Sequence, residues 1–395
     1  MRRRICASVV IGILVLAVAS PALAQQRSVT DVLSFLLTNR SIGTADAEGD
    51  EAAAAATRDA FSRLLLLELS TVPTLSSSTG FVYRMDRDLG GTAVRSSGSF
   101  GPTFVDRSLT SGVLRAALGA AYQESRFNRI GGRSLTDGTL VSTASRLTGQ
   151  GEPFDVETVS LHLTTRTLTL SANVGVSDRV DVSAALPLVR LNMSGERVDT
   201  LRGTQFLQAT ATVDASGVGD LILRAKYNAL RAGGTGLAIG AEARLPTGAE
   251  ENLLGAGELS FKPRLIGSAE LGPVSLHSEL GYLLGGLSRE LDYGGAVAVT
   301  ANARVTFIAE LLGRRVEAAG RLTETVAAHP RLAGVETIRL TAIPEATYRA
   351  LAVGSVKWNV GETLLVTGSV MRSATATGLT AQFTPTVVLE YSFGR

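Results

Sequence analysis

The amino-acid sequence predicts an all-β protein, an antiparallel transmembrane β-barrel of about 12 strands that follows a short N-terminal helical segment. Three observations predict this fold class. From about residue 112 onward, apolar and polar side chains alternate with a period of two. The connections between the alternating stretches are in turn short and long, as in outer-membrane barrels. Beyond the N-terminus, no uninterrupted apolar run reaches the ~20 residues that a spanning helix needs.

Residues 1–24 have the pattern of a secretory signal peptide. Three arginines precede an apolar stretch from Val9 to Val18, and Ala22-Leu23-Ala24 provides small residues for cleavage. Cleavage there removes Cys6, the single cysteine, so the mature chain has neither disulfides nor thiol chemistry. Cleavage also removes three of the 38 basic side chains and none of the 36 acidic ones, so the mature chain is nearly neutral. A nearly neutral chain argues against a nucleic-acid partner.

Residues 25–108 differ from the rest of the chain and form a segment that could plug the barrel. Ser28 and Asp31 can cap a short helix through Leu37, and 51–69 predicts a second helix without Gly or Pro. The Ser- and Gly-rich stretch 76–80 then ends the helical pattern. Residues 80–108 predict irregular structure or short strands anchored by four aromatic side chains, which are Phe81, Tyr83, Phe100 and Phe104.

The barrel is predicted over 109–395. In 221–228 the odd positions are apolar, while the even positions include Arg224 and Lys226. Side chains on a strand point alternately to opposite faces, so one face meets lipid and the other carries charge. The last strand places Tyr391 and Phe393 on the apolar face. With 5% aromatic residues, the two aromatic girdles that barrels usually have would be sparse.

The connections set the strand count. Short turns are predicted at 176–179, 231–235, 272–273, 301–304 and 361–362. Longer polar segments lie at 128–154, 199–216, 248–257, 287–291, 319–343 and 373–378. Counting strands from Val113 gives about 12, and the count becomes 14 if 80–86 and 102–109 join the wall. A soluble β-sandwich or β-solenoid is the alternative, but it would have to bury the charged strand face in a protein core.

Several stretches resemble outer-membrane barrels of the family known as "MetA-pathway of phenol degradation". The similarity is carried by residues 217–228, which open with Gly217-Val218-Gly219-Asp220 and are followed at strand distance by Arg244-Leu245-Pro246-Thr247-Gly248. Residues 99–102 and 250–258 resemble the same kind of barrel, and the similarity covers 112–393. It implies a channel or transporter for small hydrophobic or aromatic solutes, distantly similar to fatty-acid transporters of the FadL type. From the residues alone, the stretch 217–220 is interpreted first as a loop-to-strand transition, and alternatively Asp220 can anchor basic neighbours on the lumen side of the rim.

The predicted inner face supplies the candidate substrate pathway. Its charged and polar candidates are Arg224, Lys226, Glu242, Arg244, Lys262, Arg264, His277, Glu279 and Lys357. Because cations outnumber acids there, an open lumen would favour anions. Alternatively, the charges pair across strands and fill a closed interior.

Enzymatic chemistry is not expected. His277 shares a strand face with Ser275 and Glu279, but positions i and i±2 lie about 6.6–6.8 Å apart along a strand, too far for a nucleophile and its base by this measure. Histidine pairs with zinc spacing are absent, and the acidic cluster 46–51 lacks the pattern of a calcium loop, so neither a metal nor a cofactor is predicted.

The expected location is the outer membrane of a Gram-negative-type bacterium. The expected partners are outer-membrane lipids, a small-molecule solute and, during biogenesis, the barrel-assembly machinery, which recognises a C-terminal aromatic strand. A non-transporting structural or adhesive surface barrel, binding partners through its long loops, is the second hypothesis. Solute flux distinguishes the two.

Overall fold

The computed structural model describes most of the chain from residue 27 to residue 393. The described ranges are 27–37, 58–59, 61–69, 73–78, 80–86, 92–95, 97–232, 234–317, 321–329, 332–343, 345–361 and 363–393. The predicted signal peptide and the first part of the second predicted helix lie outside them. Among these residues, no helix is both long and apolar enough to cross a membrane.

Twelve antiparallel strands close into a barrel, which confirms the predicted fold class and the lower strand count. In chain order the wall strands are β3 (Ala116–Ile130), β6 (Asp155–Gly175), β7 (Val180–Leu201), β9 (Leu221–Ala232), β10 (Thr235–Leu245), β11 (Ser260–Leu271), β12 (Val274–Gly285), β13 (Glu290–Asn302), β14 (Val305–Val316), β17 (Thr347–Gly361), β18 (Leu364–Ser373) and β20 (Thr384–Phe393). β20 pairs with β3 and completes the ring.

The remaining strands lie outside the wall. Six extend its rim: β4 (Arg133–Ser134), β5 (Leu140–Leu147), β8 (Thr204–Val218), β15 (Arg321–Ala328), β16 (Val335–Ile343) and β19 (Leu379–Ala381). β1 (Tyr83–Asp86) and β2 (Thr92–Arg95) pair only with each other. The 14-strand alternative is therefore wrong, because 80–86 forms half of a separate hairpin and 102–109 contains no strand.

The connections alternate as the sequence predicts. Residues 176–179 and 272–273 are among the short links at one end of the barrel, the turn end, where β3 also begins and β20 finishes. The long connections and all six rim strands are at the opposite end, the loop end. β6 and β7, with 21 and 22 residues, are about twice the length needed to cross a bilayer, so they project beyond it at the loop end.

The outer face of the wall is apolar. Large hydrophobic side chains such as Leu265, Leu311 and Leu389 are about half exposed on it. Its aromatic side chains form two sparse groups. Tyr227, Phe307, Trp358, Tyr391 and Phe393 lie nearer the turn end, and Phe261, Tyr282, Tyr293 and Tyr348 nearer the loop end. An apolar band with aromatic residues towards both edges is the surface that a bilayer requires.

Two N-terminal helices fill the loop end. In α1 (Val29–Leu37), Ser28 Oγ accepts the N–H of Asp31 and the Asp31 carboxylate accepts the N–H of Ser28, each at 3.1 Å, so the predicted cap is confirmed. α2 occupies 61–69. Leu33 and Leu36 of α1 and Phe61 of α2 join an apolar core with side chains of the rim. The helices are therefore held by burial of apolar surface against the barrel.

The described residues of 74–111, which are 74–78, 80–86, 92–95 and 97–111 and are here called the lumenal segment, run inside the barrel from below α2 to the turn end. Phe81 and Phe100 meet edge to face, with ring centroids 5.6 Å apart, and pack against Leu365 of the wall. The guanidinium of Arg95 lies 4.6 Å from the centroid of the Phe100 ring. The predicted aromatic anchors therefore hold an irregular segment within the barrel.

Candidate functional site in the barrel interior

The structure places all nine predicted interior side chains inside the barrel. Each is at least four-fifths buried, as the alternation on the charged strands requires. The predicted orientation of the side chains therefore agrees with the structure, whereas their role as a substrate pathway is still a prediction.

Glu242 is the centre of an ionic cluster in the interior. Its carboxylate lies 2.8 Å from Nε of Arg224, 2.9 Å from Nε of Arg244 and 3.4 Å from Nζ of Lys262. Lys262 also contacts Asp292 at 2.8 Å. Glu242 and Arg224 are directly opposite across β9 and β10, as Glu242 and Lys262 are across β10 and β11. Cross-strand register thus assembles the cluster from three neighbouring strands.

Two lysines hold the lumenal segment through its backbone. Lys226 Nζ donates to the carbonyl oxygens of Arg107 and Leu109 at 3.0 and 2.9 Å, and also to Ser78 Oγ at 2.7 Å. Lys357 Nζ donates to the carbonyl oxygen of Pro102 at 2.7 Å. An irregular segment leaves backbone carbonyls without ladder partners, and these wall cations satisfy them.

A glutamate of the wall binds the same segment as a hydrogen-bond acceptor, whereas the two lysines bind it as donors. Glu310 accepts the backbone N–H groups of three consecutive residues, Thr103, Phe104 and Val105, at 2.9–3.1 Å. A carboxylate that accepts several N–H bonds makes strong, charge-assisted contacts. Glu310 is not among the sequence candidates, although it is an acidic residue on the same face of its strand as Thr306 and Ile308.

Asp106 connects the lumenal segment to the wall through an ion pair. Its carboxylate lies 2.6 Å from Nη1 of Arg264, whose Nη2 binds Glu279 at 2.6 Å. Burial alone raises the pKa of Asp106, but the cations Arg264, Lys226 and Arg224 outweigh it and hold this pKa well below its usual range. Asp106 is therefore ionised at neutral pH and fixes the segment to β11.

The prediction that His277 and Ser275 lie too far apart to interact is wrong. Nε2 of His277 lies 3.1 Å from Oγ of Ser275, because the two side chains lean towards each other along the strand. The other ring nitrogen, Nδ1, lies 2.9 Å from Oγ of Ser268 and not against a carboxylate. Ser275 has no exposed surface. In the part of the chain that the structure describes, both ring nitrogens of His277 face serine hydroxyls, so the three groups form a buried polar cluster without the acidic orienting partner of a triad.

The two motifs of the family resemblance contact each other at the loop end. The Asp220 carboxylate accepts the backbone N–H groups of Gly248 and Ala256 at 3.1 and 2.8 Å. Thr247 Oγ1 donates to the carbonyl oxygen of Gly219 at 2.7 Å. Both carboxylate oxygens of Asp220 accept N–H groups from the connection after β10, which agrees with the loop-to-strand interpretation and not with the alternative of an anchor for basic side chains. These contacts hold the connection between β10 and β11 in place.

The predicted charges of the inner face are compensated inside the barrel. Of the six cations predicted on the inner face, all but Lys357 lie within 4 Å of a carboxylate, and Lys357 binds backbone carbonyls. The alternative of a closed, internally paired interior describes this arrangement. Within the described ranges, no group of three or more His, Cys, Asp or Glu side chains is placed to hold a metal ion.

A closed barrel of 12 antiparallel strands with an apolar outer band and a charged interior is an outer-membrane β-barrel. The chain belongs to the family described as "MetA-pathway of phenol degradation", whose model matches residues 126–384. A comparison with curated protein sequences finds no match.

Among solved structures, the chain is similar to a COG4313 outer membrane channel from Pseudomonas putida F1, at 14% identity and a TM-score of 0.46, over 72% of this chain and 98% of that one. It is also similar to a FadL homologue from Pseudomonas aeruginosa, at 12% identity and a TM-score of 0.31, over 70% of this chain and 89% of that one. It is similar as well to the toluene transporter TbuX from Ralstonia pickettii, at 11% identity and a TM-score of 0.30, over 72% of this chain and 90% of that one. Similarity at this level carries no argument about function.

Proposed function

We propose that this protein is an outer-membrane channel through which small hydrophobic or aromatic solutes pass passively when the lumenal segment moves. The observation that carries this proposal is the kind of contact that holds the segment. Lys226, Lys357, Glu310 and Arg264 bind it through hydrogen bonds and ion pairs, and neither β1 nor β2 pairs with the wall. Membership of the family supports the channel role.

Polar contacts of this kind can be exchanged for water. A typical hydrogen bond contributes only about 0.5–1.5 kcal/mol net, because water replaces the lost partner when the groups separate. The wall itself is closed by continuous ladders, such as the 21 residue pairs of β6 with β7. Movement of the lumenal segment would therefore leave the barrel intact and expose a polar interior to water.

The proposal includes the surroundings of the channel. Lipids of the outer membrane would cover the apolar band, and residues 1–24 would direct export. The barrel-assembly machinery would recognise β20, whose Tyr391 and Phe393 rings stack with centroids 6.2 Å apart on its outer face. None of these partners takes part in the passage of solute, which depends on the interior alone.

A disulfide that locks the segment tests the proposal. The backbone N–H of Ser108 donates to Oγ of Ser268 at 2.8 Å, so the two residues are in direct contact across the boundary between segment and wall. We expect Ser108→Cys with Ser268→Cys to form a disulfide in a chain that otherwise has no mature cysteine. The measurements are swelling of protein-containing liposomes in phenyl glucoside, which carries an aromatic ring and does not cross lipid, and conductance in planar bilayers.

The same protein in its reduced form is the matched control. We expect flux after reduction and a loss of flux after oxidation. Equal flux in both redox states, with the disulfide verified by mass spectrometry, would contradict movement of the segment. No flux from the wild-type protein or from the reduced variant would contradict the channel itself and favour a non-transporting surface barrel. Heat-modifiable migration on a denaturing gel verifies that each sample is folded.

A further inference from the structure

A cavity of about 170 Å³ remains inside the barrel, between the lumenal segment and α2. One side is apolar, where Phe104 and Met371 pack with Leu351. The other sides are charged, and the lining as a whole contains seven cationic and five acidic side chains. A space with an apolar wall and an excess of positive charge suits a solute that is itself apolar at one end and anionic at the other.

Two of the cations are arranged in a way that needs an anion. Arg314 of β14 and Arg349 of β17 are directly opposite each other in the register of the two strands, and both side chains line the cavity. Directly opposed like charges destabilise a sheet. The carboxylate of Glu68, from α2, lies between them, 2.8 Å from Nη2 of Arg314 and in contact with Nη1 of Arg349.

Arg349 is incompletely satisfied by this arrangement. Its side chain is more than nine-tenths buried, and among the described residues its Nε and Nη2 atoms have no hydrogen-bond partner. Arg314 has a second carboxylate, Glu290, at 3.6 Å. A guanidinium presents its donors as a planar fork that matches a carboxylate in two parallel bonds. Arg349 therefore offers more donors than Glu68 occupies.

We propose that this cavity binds a small monocarboxylate with a single-ring apolar body, and that the ligand carboxylate takes the place of Glu68 between Arg314 and Arg349. This inference rests on the proposed channel function and names its solute class. A cavity of roughly 150 Å³ with an apolar lining is known to hold one benzene ring, so the space suits a ring of that size. The ring would lie against Phe104 and Met371.

Binding and the position of α2 are coupled in this arrangement. Glu68 and a ligand carboxylate compete for the same two guanidinium groups, so binding of the ligand releases the ionic contact between α2 and the wall. In return, removing the charge of Glu68 takes away the internal competitor. Both effects follow from the same exchange of one carboxylate for another.

Benzoate is the probe, and benzamide is its uncharged counterpart of nearly the same shape. Binding to the folded, detergent-solubilised full-length mature chain is measured by calorimetry at pH 7. We expect benzoate to bind and benzamide to bind at least about tenfold more weakly, the factor that corresponds to 1.4 kcal/mol. Arg349→Gln should weaken benzoate binding about tenfold or more, and Glu68→Gln should strengthen it severalfold.

The rim pair Arg133 and Glu324, 2.6 Å apart and partly exposed, provides matched controls. Arg133→Gln and Glu324→Gln should leave benzoate binding unchanged. No binding of benzoate, equal binding of benzamide, or weaker binding in Glu68→Gln would overturn the inference. If Arg349→Gln does not fold, Glu68→Gln alone decides. Binding without flux would contradict only the channel, and flux without binding would contradict only the site.

Discussion

Buried charge in this protein is organised around single residues. Glu242 has a side chain only 1% exposed and contacts three cations, while Asp106 joins the lumenal segment to Arg264. Removing one partner from such a buried cluster is far more costly than its net contribution suggests, because the remaining charges lose their compensation. Each of these acids is therefore a point at which one substitution changes the state of the interior.

The ion pair of Asp106 with Arg264 predicts how the position of the lumenal segment inside the barrel depends on pH. Its neighbours Arg264, Lys226 and Arg224 lower its pKa below the ordinary 3.8, so its ionic contact contributes fully above about pH 4 and is lost as the pH falls towards the folded-state pKa. We expect the difference in conductance between the wild type and Asp106→Asn to be constant from pH 7 to pH 4 and to shrink below it. Titration of Glu310 and Asp181, which also hold the segment, should affect both proteins alike. Asp106→Asn should conduct at pH 7, with Asp137→Asn, in an exposed loop, as control. A difference that already shrinks near pH 6 would implicate another group.

At the scale of elements, the chain passes from the lumenal segment to β3 at a point where its backbone lies very close to the end of β6. A Cβ on Gly175, the last residue of β6, would lie 1.9 Å from the carbonyl oxygen of Gly112, which no side-chain rotation can relieve. Leu114 donates its backbone N–H to the carbonyl oxygen of Gly175 at 2.9 Å. The absence of a side chain at this position therefore lets the segment join β3.

Gly175→Ala tests this junction. We expect it to destabilise the barrel by about 1–3 kcal/mol, the usual cost of overpacking a tight site, and to raise basal conductance by displacing the lumenal segment. Gly368→Ala on β18 is the matched control, since a Cβ there meets nothing within 4 Å. The measurements are the temperature at which heat-modifiable migration is lost and the conductance of the folded protein. Equal behaviour of the two variants would show that the junction tolerates a methyl group.

At the scale of the whole molecule, the apolar outer face requires a surrounding lipid or detergent. Leu311 lies near the middle of β14 on this face and is 52% exposed, whereas Leu332, 43% exposed, lies in the connection between β15 and β16 beyond the wall. The two leucines thus have similar exposure in two different surroundings. Only Leu311 should contact the hydrocarbon of the membrane.

Leu311→Arg should therefore destabilise the protein by about 2–4 kcal/mol in lipid, the cost of an arginine at the midplane of a membrane barrel, and Leu332→Arg by about 0–1 kcal/mol. Urea unfolding from phospholipid vesicles measures both values. Similar values for the two variants would place Leu311 outside the membrane. Purified mature protein that stays monodisperse without detergent would contradict the membrane barrel altogether.

The wall could be predicted from local pattern. Alternation in 221–228 assigned Arg224 and Lys226 to the inner face, and the same rule, extended back along β17 from Lys357, also assigns Arg349 to it. The connections of alternating length led to 12 strands. These features depend only on the period of a strand and on the contrast between lipid and water, so each is readable within one stretch of chain.

The partners inside the barrel were decided by the tertiary structure. Glu68 meets Arg349 across 281 positions of chain, and Asp106 meets Arg264 across 158, so no local pattern relates them. The reach of His277 to Ser275 was likewise set by side-chain direction and not by strand spacing. By itself, the sequence determined which side chains face inward, since alternation is a local property. Closure of the barrel and the course of the lumenal segment decided which of them meet, because only they set distances between strands that are remote in sequence.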